Sequence, residues 1–172
     1  MSKLIKPHGS ESLNPLFIKD ADQRAKLIKE AESLPSIVIS SAAAANAVML
    51  GGGYFNPLTG YMNKKDALSV AEKMKTSDGL FWPVPVLNLL NNVENIKSGD
   101  RIALRDPNVE GNPVIAIQKV ESIEEFSDDD IKFITEKVFR TTDSNHPGVA
   151  NFNSLGKKVI AGPIEVLNFS YF

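Results

Sequence analysis

The sequence predicts an α+β fold in which helices come first and a small, strongly bent sheet follows. In the first half, polar residues that favour helix N-termini precede apolar residues at helical spacing. In the second half, short apolar or alternating runs are separated by turns rich in proline, asparagine and glycine. No repeat, low-complexity tract or linker interrupts the 172 residues. We therefore expect residues 1–172 to form one domain with a mixed sheet or barrel and flanking helices.

Three helices and one strand are predicted in the first half. Asp20 caps a helix that extends to about Leu34, and a serine pair precedes a second helix at residues 42–50. A short apolar run at residues 37–39 predicts a strand between them, and Asn63 caps the third helix. The expected buried faces are Ala21, Ala25, Ile28 and Ala31 for the first helix, and Ala67, Val70, Ala71 and Met74 for the third.

The second half predicts strands and one helix. Ser127 caps a helix with an acidic first turn that runs from residue 128 to about 138. Two prolines interrupt the apolar run at residues 80–90, which predicts an edge or irregular strand. The remaining strands are a half-buried one at residues 101–106, a second at 113–120 and a last one at 158–169.

Composition excludes several classes of protein. The hydrophobic share of 42% allows a real core, and the net charge of −2 is that of a soluble globular protein. No apolar run approaches the roughly 20 residues of a membrane span, and residues 1–7 lack the apolar core of a signal peptide. The absence of cysteine excludes disulfides and thiolate metal sites, which fits a cytoplasmic protein. The pI of about 5.7 argues against a general nucleic-acid binder.

The glycine run at residues 51–53 invites comparison with phosphate-binding loops. No Gly-Lys-Ser/Thr follows it, so it is not a P-loop. A dinucleotide fingerprint would need a preceding strand and a glycine where the chain has Asn56. We interpret the run as a helix stop followed by a tight turn.

A second unusual string, at residues 139–149, places a carboxylate, several hydroxyls and an imidazole in one loop. Such a set could hold a metal ion or supply a general base. A catalytic histidine needs a partner that orients it, and the only other histidine, His8, lies at a start expected to be disordered. We therefore expect Asp143 to close its own turn and His146 to have no catalytic role.

Three further features have a structural interpretation. The aspartates at residues 128–130 point about 100° apart on a helix, so they do not converge on one metal ion. We interpret them as first-turn charges that interact favourably with the helix dipole. Phe81 and Trp82 could stack on a base, but prolines flank them in an apolar run and we expect both in the core. Arg101 and Arg105 are too few for a nucleic-acid patch.

Residues 53–62 read GYFNPLTGYM and resemble the signature G-x-[FY]-x-P-L-x-G-[FY]-M of the ATP sulfurylase (sulfate adenylyltransferase) family. Residues 78–86 are similar to its D-G-x-x-[FW]-P-[IV]-P pattern, and residues 101–106 to its ALRD strand. Residues 141–149 resemble the family's T-x-D-x-x-H-P-G-V motif. Residues 161–164 resemble its G-G-P-[IV] strand, with Ala161 in place of the first glycine. Arg140 stands where many members have glycine, which suggests the branch found in bacterial sulfur oxidisers.

The resemblance implies that residues 1–172 form the amino-terminal PUA-like domain of that family. Catalysis belongs to the family's next domain, which carries Q-[TS]-R-N-P, H-x-x-H and G-R-D-H motifs, and none of the three occurs here. The resemblance therefore assigns no catalytic, cofactor-binding or metal-binding residue to this chain. It also implies that the chain alone is inactive and that the catalytic nucleotidyltransferase domain is absent from it.

The family reaction joins sulfate to the α-phosphoryl group of ATP and releases pyrophosphate, or runs in reverse. The resemblance implies Mg-ATP and sulfate bound by the missing domain, and no cofactor in this chain. The implied partners are the catalytic domain of the same polypeptide and other copies of the full-length enzyme, with no nucleic acid and no membrane. The alternative is a free-standing PUA-like module that binds RNA, and a continuation of the gene past Phe172 would favour the enzyme.

Overall fold

The structure is a computed structural model that describes residues 5–169, and the expectations for residues 1–4 and 170–172 lie outside this range. Five helices and seven strands are assigned within it. Their bounds are α1 (Ala21–Ala31), β1 (Ser36–Val38), α2 (Ser41–Gly51), β2 (Gly60–Tyr61), α3 (Lys64–Lys73), β3 (Leu89–Leu90), β4 (Arg101–Arg105), β5 (Val114–Lys119), β6 (Ser122–Glu125), α4 (Asp128–Phe139), α5 (Pro147–Ser154) and β7 (Lys158–Val166).

The nine-residue strand β7 organises the sheet. Its first half pairs with β3 and β6, and its second half pairs with β2 and β5, all antiparallel. β5 continues the sheet to β4, and β1 adds to β4 in parallel. Because one strand changes partners along its length, the sheet curls into a half-barrel. The predicted α+β fold with a bent mixed sheet and flanking helices is confirmed.

The predicted helix N-termini are also confirmed. Asp20, Asn63 and Ser127 each accept a hydrogen bond from the backbone N–H three residues later, and Ser40 caps α2 in the same way. Asp130 completes a capping box with Ser127. These caps satisfy backbone donors that the helices cannot pair internally.

Strand β4 is buried on both faces, which corrects the prediction of a half-buried strand. Ile102 and Leu104 belong to the main core, which also contains residues of α2, β5 and β7. Ala103 faces a smaller cluster formed with Ala31, Ile117 and Leu167. The three central residues of β4 are therefore all apolar, because each face of the strand packs on one of the two clusters.

Helix α1 packs through a face that shares only Ala31 with the predicted one. Ala21, Ala25 and Ile28 are exposed, whereas Leu27 packs against the smaller cluster and Ala31 belongs to it. The helix also ends at Ala31 rather than near residue 34. Helical spacing predicted Ala31 correctly but missed Leu27, because the buried face depends on the strands that lie opposite the helix.

Two predictions around residue 80 are wrong in part. Met74 is the left-handed C-cap of α3, with φ 51°, and its side chain is half-exposed rather than buried. The run at residues 80–90 is not a continuous strand, since only β3 and a bridge between Lys75 and Phe81 are paired. Prolines 83 and 85 have no N–H to donate to a ladder, which explains the interruption.

Candidate functional site

The signature at residues 53–62 builds a crossing of two backbones. Gly60 of β2 pairs with Pro163 of β7, and a Cβ on Gly60 would lie 2.1 Å from the carbonyl oxygen of Gly162. Gly162 itself has φ 137°, and a Cβ there would lie 2.1 Å from the carbonyl oxygen of Lys119. The crossing therefore requires glycine at both positions, and it brings three backbone segments together.

The remaining signature residues hold the crossing to its surroundings. The Tyr61 hydroxyl is buried and donates to the Ala43 carbonyl oxygen at 2.7 Å. Burial raises the pKa of Tyr61 far above its ordinary value, so the phenol stays protonated. Gly53 has φ 79°, which confirms the predicted left-handed stop after α2. Gly52, by contrast, stays in the right-handed region with φ −73°.

Asn56 of the signature binds the start of the chain. Its Nδ2 donates to the His8 carbonyl oxygen at 3.0 Å and to Ser10 Oγ at 2.6 Å. Its Oδ1 accepts from the Asn14 N–H at 2.9 Å. Nε2 of the His8 ring also lies 2.8 Å from the carbonyl oxygen of Phe81. The expectation that His8 lies in a disordered start is therefore wrong, because a buried amide orders this segment.

A cleft of about 370 Å³ opens beside the crossing. Its polar walls include Asn63, Asp66, Glu121 and Ser122. Asn63 Oδ1 accepts from the Asp66 N–H, and Asp66 Oδ1 accepts from the Ser77 N–H, each at 2.8 Å. Asn63 thus caps the start of α3, and Asp66 holds the turn that follows its end. Nowhere in residues 5–169 do three histidine, cysteine, aspartate or glutamate side chains converge as a metal site.

The loop at residues 139–149 is built from turn and cap contacts. Asp143 Oδ1 accepts from the Asn145 N–H at 2.9 Å and from Asn145 Nδ2 at 3.0 Å, so it closes its own turn as predicted. His146 is the N-cap of α5, and its Nδ1 accepts from the Val149 N–H at 3.4 Å. Arg140 ends α4 with φ 59°, a conformation that favours glycine. Within the described range, no carboxylate contacts the His146 ring.

The three aspartates of α4 serve separate partners. Asp130 accepts from the Ser127 N–H and hydroxyl and forms an ion pair with Lys64 at 2.6 Å. Asp128 pairs with Lys157, and Asp129 is exposed. Burial alone would raise the pKa of Asp130, but the hydrogen bonds from Lys64 and Ser127 outweigh it and lower the pKa. The predicted divergence of the three carboxylates is confirmed.

The two adjacent aromatic residues lie in different environments. Trp82 is buried and packs edge-on against Phe55, with ring centroids 5.5 Å apart. Phe81 is 51% exposed, so the prediction that both lie in the core is wrong for Phe81. Neighbouring residues of an extended chain point to opposite sides, and only one side faces the core.

Several of the basic side chains that could meet a phosphate backbone have acidic partners. Lys157 and Lys158 pair with Asp128 and Glu125, and the Lys64 Nζ contacts Asp130. Arg101 lies between Glu30 and Glu165, at 3.0 and 3.1 Å. Arg105 Nη1 donates to the Asn112 carbonyl oxygen at 3.2 Å. These pairings reduce the positive charge that these side chains can offer to a phosphate backbone.

Sequence reasoning missed β2, β6 and α5. The two residues of β2 are too few for a periodic pattern, and β6 is partly polar. α5 did carry a signal, because Pro147 occupies its first turn directly after the capping His146. The loop that looked able to bind a metal ion or supply a general base is therefore the start of a helix.

Comparisons with known proteins give one consistent result. A family model described as a PUA-like domain matches residues 5–169. The sulfate adenylyltransferase of Alcanivorax borkumensis is 60% identical over 172 residues, which is 100% of this chain and 43% of that protein. The sulfate adenylyltransferase of Allochromatium vinosum is 56% identical over 98% of this chain and 43% of that protein. That of the Riftia pachyptila sulfur-oxidizing endosymbiont is 54% identical over 98% of this chain and 38% of that protein. The chain thus spans about two fifths of these relatives.

A solved structure shares the fold. The hexameric APS kinase from Thiobacillus denitrificans superposes with a TM-score of 0.67 at 25% identity, over 95% of this chain and 27% of that one. In that protein, as in the sulfate adenylyltransferases, the matching region is the smaller part of a longer polypeptide. None of the helices within residues 5–169 is long and apolar enough to cross a bilayer.

Proposed function

The chain belongs to the PUA-like domain family, and on that premise we propose that it is the amino-terminal domain of a sulfate adenylyltransferase. The full-length enzyme would join ATP and sulfate to give adenosine 5′-phosphosulfate and pyrophosphate, or catalyse the reverse reaction, in the cytoplasm. The single observation that carries this proposal is that nearly the whole of this chain matches sulfate adenylyltransferases, with more than half of the aligned residues identical.

Within that enzyme, we assign the domain a structural and docking role without a catalytic residue. The signature residues are occupied by backbone crossing, capping and burial, as the contacts of Gly60, Asn56 and Tyr61 indicate. Asp143 and His146 are occupied by a turn and a helix cap. Mg-ATP and sulfate would bind to the part of the polypeptide outside residues 1–172, which would also form the homo-oligomer contacts.

The chemistry of the described side chains supports this division of labour. A triphosphate with its magnesium ion needs several cations and at least one free carboxylate or hydroxyl ligand close together. Lys64 and Arg101 instead contact carboxylates, and the acidic cleft beside Gly60 would repel a nucleotide. We expect no nucleotide binding to the isolated chain.

The proposal is tested by assaying the isolated chain and a chimera. The chimera carries residues 1–172 in place of the matched stretch of the Alcanivorax protein. We expect pyrophosphate release from ATP and sulfate by the chimera and none by the isolated chain. Turnover by the repurified isolated chain that His146→Ala abolishes would contradict the absence of a catalytic residue. A folded chimera without turnover would contradict the proposal that the chain is part of a sulfate adenylyltransferase.

The alternative function is a free-standing PUA-like module that binds RNA. Family membership alone favours it, because domains of this fold bind RNA in other proteins, but fold does not carry function. The net charge of −2 and the ion-paired lysines count against it. The two functions differ in their response to RNA, which a titration measures directly.

A further inference from the structure

An apolar groove of about 270 Å³ lies on the surface near the end of α2. Phe55, Trp82 and residues 83–86 line it, together with Asn46. The Trp82 ring forms its floor, packed against Phe55 and only 8% exposed. Val84, which lines it, is 51% exposed. We call these residues the aromatic groove.

The chain segments that build the aromatic groove carry no charge. Residues 33–63 contain no aspartate, glutamate, lysine, arginine or histidine, and neither do residues 79–93. By contrast, the groove between α3 and α4 contains Lys65, Glu72 and Asp129, and the cleft beside Gly60 contains two carboxylates. Depletion of charge in an apolar surface groove is typical of the centre of a protein–protein interface.

We propose that the aromatic groove is the surface on which the remainder of the polypeptide docks, an inference that rests on the proposed function. The sulfate adenylyltransferases carry more than half of their length outside the region that this chain matches. The solved structure with the same fold carries an even larger share outside it. A domain joined to a larger one needs an inter-domain surface, commonly of several hundred square ångströms.

The chemistry of the groove specifies the surface that covers it. An uncharged groove with an indole floor and proline rims gains by burying aliphatic or aromatic side chains, and it offers no ion pair to a charged helix. The docking surface of the remainder is therefore uncharged and apolar. A charged ligand such as RNA or an acidic peptide would lose hydration there without compensation.

The test compares side-chain accessibility in the isolated chain and in the chimera with the Alcanivorax protein. Hydroxyl-radical footprinting reports how fast each accessible side chain is oxidised. We expect oxidation of Val84 to be about threefold slower in the chimera, whereas His146, the N-cap of α5, is oxidised equally in both. Equal oxidation of Val84 in both proteins overturns the proposal. Protection of Val84 in the isolated chain that grows with its concentration overturns it in favour of a second copy.

Substitutions provide an independent readout. Val84→Ser replaces a half-exposed side chain of the groove, so we expect the isolated chain to melt within a degree or two of the unsubstituted one. The same change should lower the melting temperature of the chimera by several degrees. Ile28→Ser, which replaces a side chain 40% exposed on α1, is the matched control and should change neither protein. No effect of Val84→Ser on the chimera overturns the proposal.

Failure of this inference can be distinguished from failure of the proposed function. A chimera that turns over ATP and sulfate but leaves Val84 unprotected retains the function and overturns the docking surface. A chimera that protects Val84 but has no turnover supports the docking surface and contradicts the enzymatic assignment.

Discussion

Gly60 and Gly162 lie back to back where β2 crosses β7, with no room for a side chain between them. The space that a Gly60 Cβ would need is occupied by the Gly162 carbonyl oxygen, 2.1 Å away. An oxygen of the backbone cannot rotate aside as the end of a long side chain can. The spacing of the signature glycines in residues 53–62 is thus explained by a contact with a strand far along the chain.

Gly60→Ala should destabilise the protein by about 3 kcal/mol, because the methyl group forces β2 away from β7. Gly52→Ala is the matched control. Gly52 has φ −73°, and its added Cβ would meet only the ring of Tyr54, which is 76% exposed and can move. Denaturant unfolding of both variants measures the difference. Equal stabilities would mean that the crossing is looser than the structure indicates.

Gly53→Val should lower the free energy of unfolding by about 1–3 kcal/mol. Gly53 has φ 79°, where a β-branched side chain is strained whatever the space around it. Gly53→Asn is the control, since asparagine tolerates this conformation better and should cost less. Thermal melts that rank the two variants in the opposite order would contradict the inferred turn geometry.

Asn56→Asp should release the start of the chain. The amide nitrogen of Asn56 donates to the His8 carbonyl oxygen and to Ser10, and a carboxylate cannot donate these bonds. We expect a loss of about 1–3 kcal/mol, since acceptors would face each other at a buried site. Hydrogen exchange of the backbone amides around His8 and Ser10 should become faster, because the two lost bonds hold these residues. Unchanged exchange would show that this segment is held by other contacts.

The contribution of Asp130 to stability should depend on pH. Its pKa is lowered from an ordinary 3.8, because the contacts with Lys64 and Ser127 outweigh the effect of burial. The ionised form therefore stabilises the folded state above about pH 4, and this stabilisation is lost as the pH falls through the lower folded-state pKa. Asp130→Asn should reduce the melting temperature at pH 7 but much less at about pH 2. Asp129→Asn, an exposed neighbour, should show no such trend.

The isolated chain should have negligible affinity for RNA at physiological salt. Phosphate contacts gain affinity from released counterions in proportion to the number of free cations, and Lys64, Lys157 and Lys158 already contact carboxylates. A fluorescence-anisotropy titration with a structured RNA measures this. Saturable binding at micromolar protein that weakens steeply with salt would favour the RNA-binding module over the adenylyltransferase domain.

Much of the local structure was predictable because its causes are local. The caps at Asp20, Asn63 and Ser127 and the turn closed by Asp143 depend on contacts between residues two or three apart. The family signature was equally readable. The cap of α5 by His146 was missed although Pro147 signalled it, because an imidazole in a polar loop attracts a catalytic interpretation.

The tertiary structure alone decided which faces are covered. Ile28, Met74 and Phe81 are apolar residues in apolar patterns, yet each is at least 40% exposed. Whether such a side chain is buried depends on which distant strand or helix lies opposite it, and periodicity within one segment does not carry that information.

The sequence by itself determined where helices α1 to α4 begin, where the chain turns and to which family it belongs. Those features depend on residue types within one turn of chain or one short motif. Only the tertiary structure decided that β7 pairs with four other strands and that Asn56 holds the start of the chain in place. It also decided which uncharged segments meet to form the aromatic groove. These arrangements arise where segments far apart in the sequence meet, and steric exclusion and burial act on the assembled surfaces rather than on the segments.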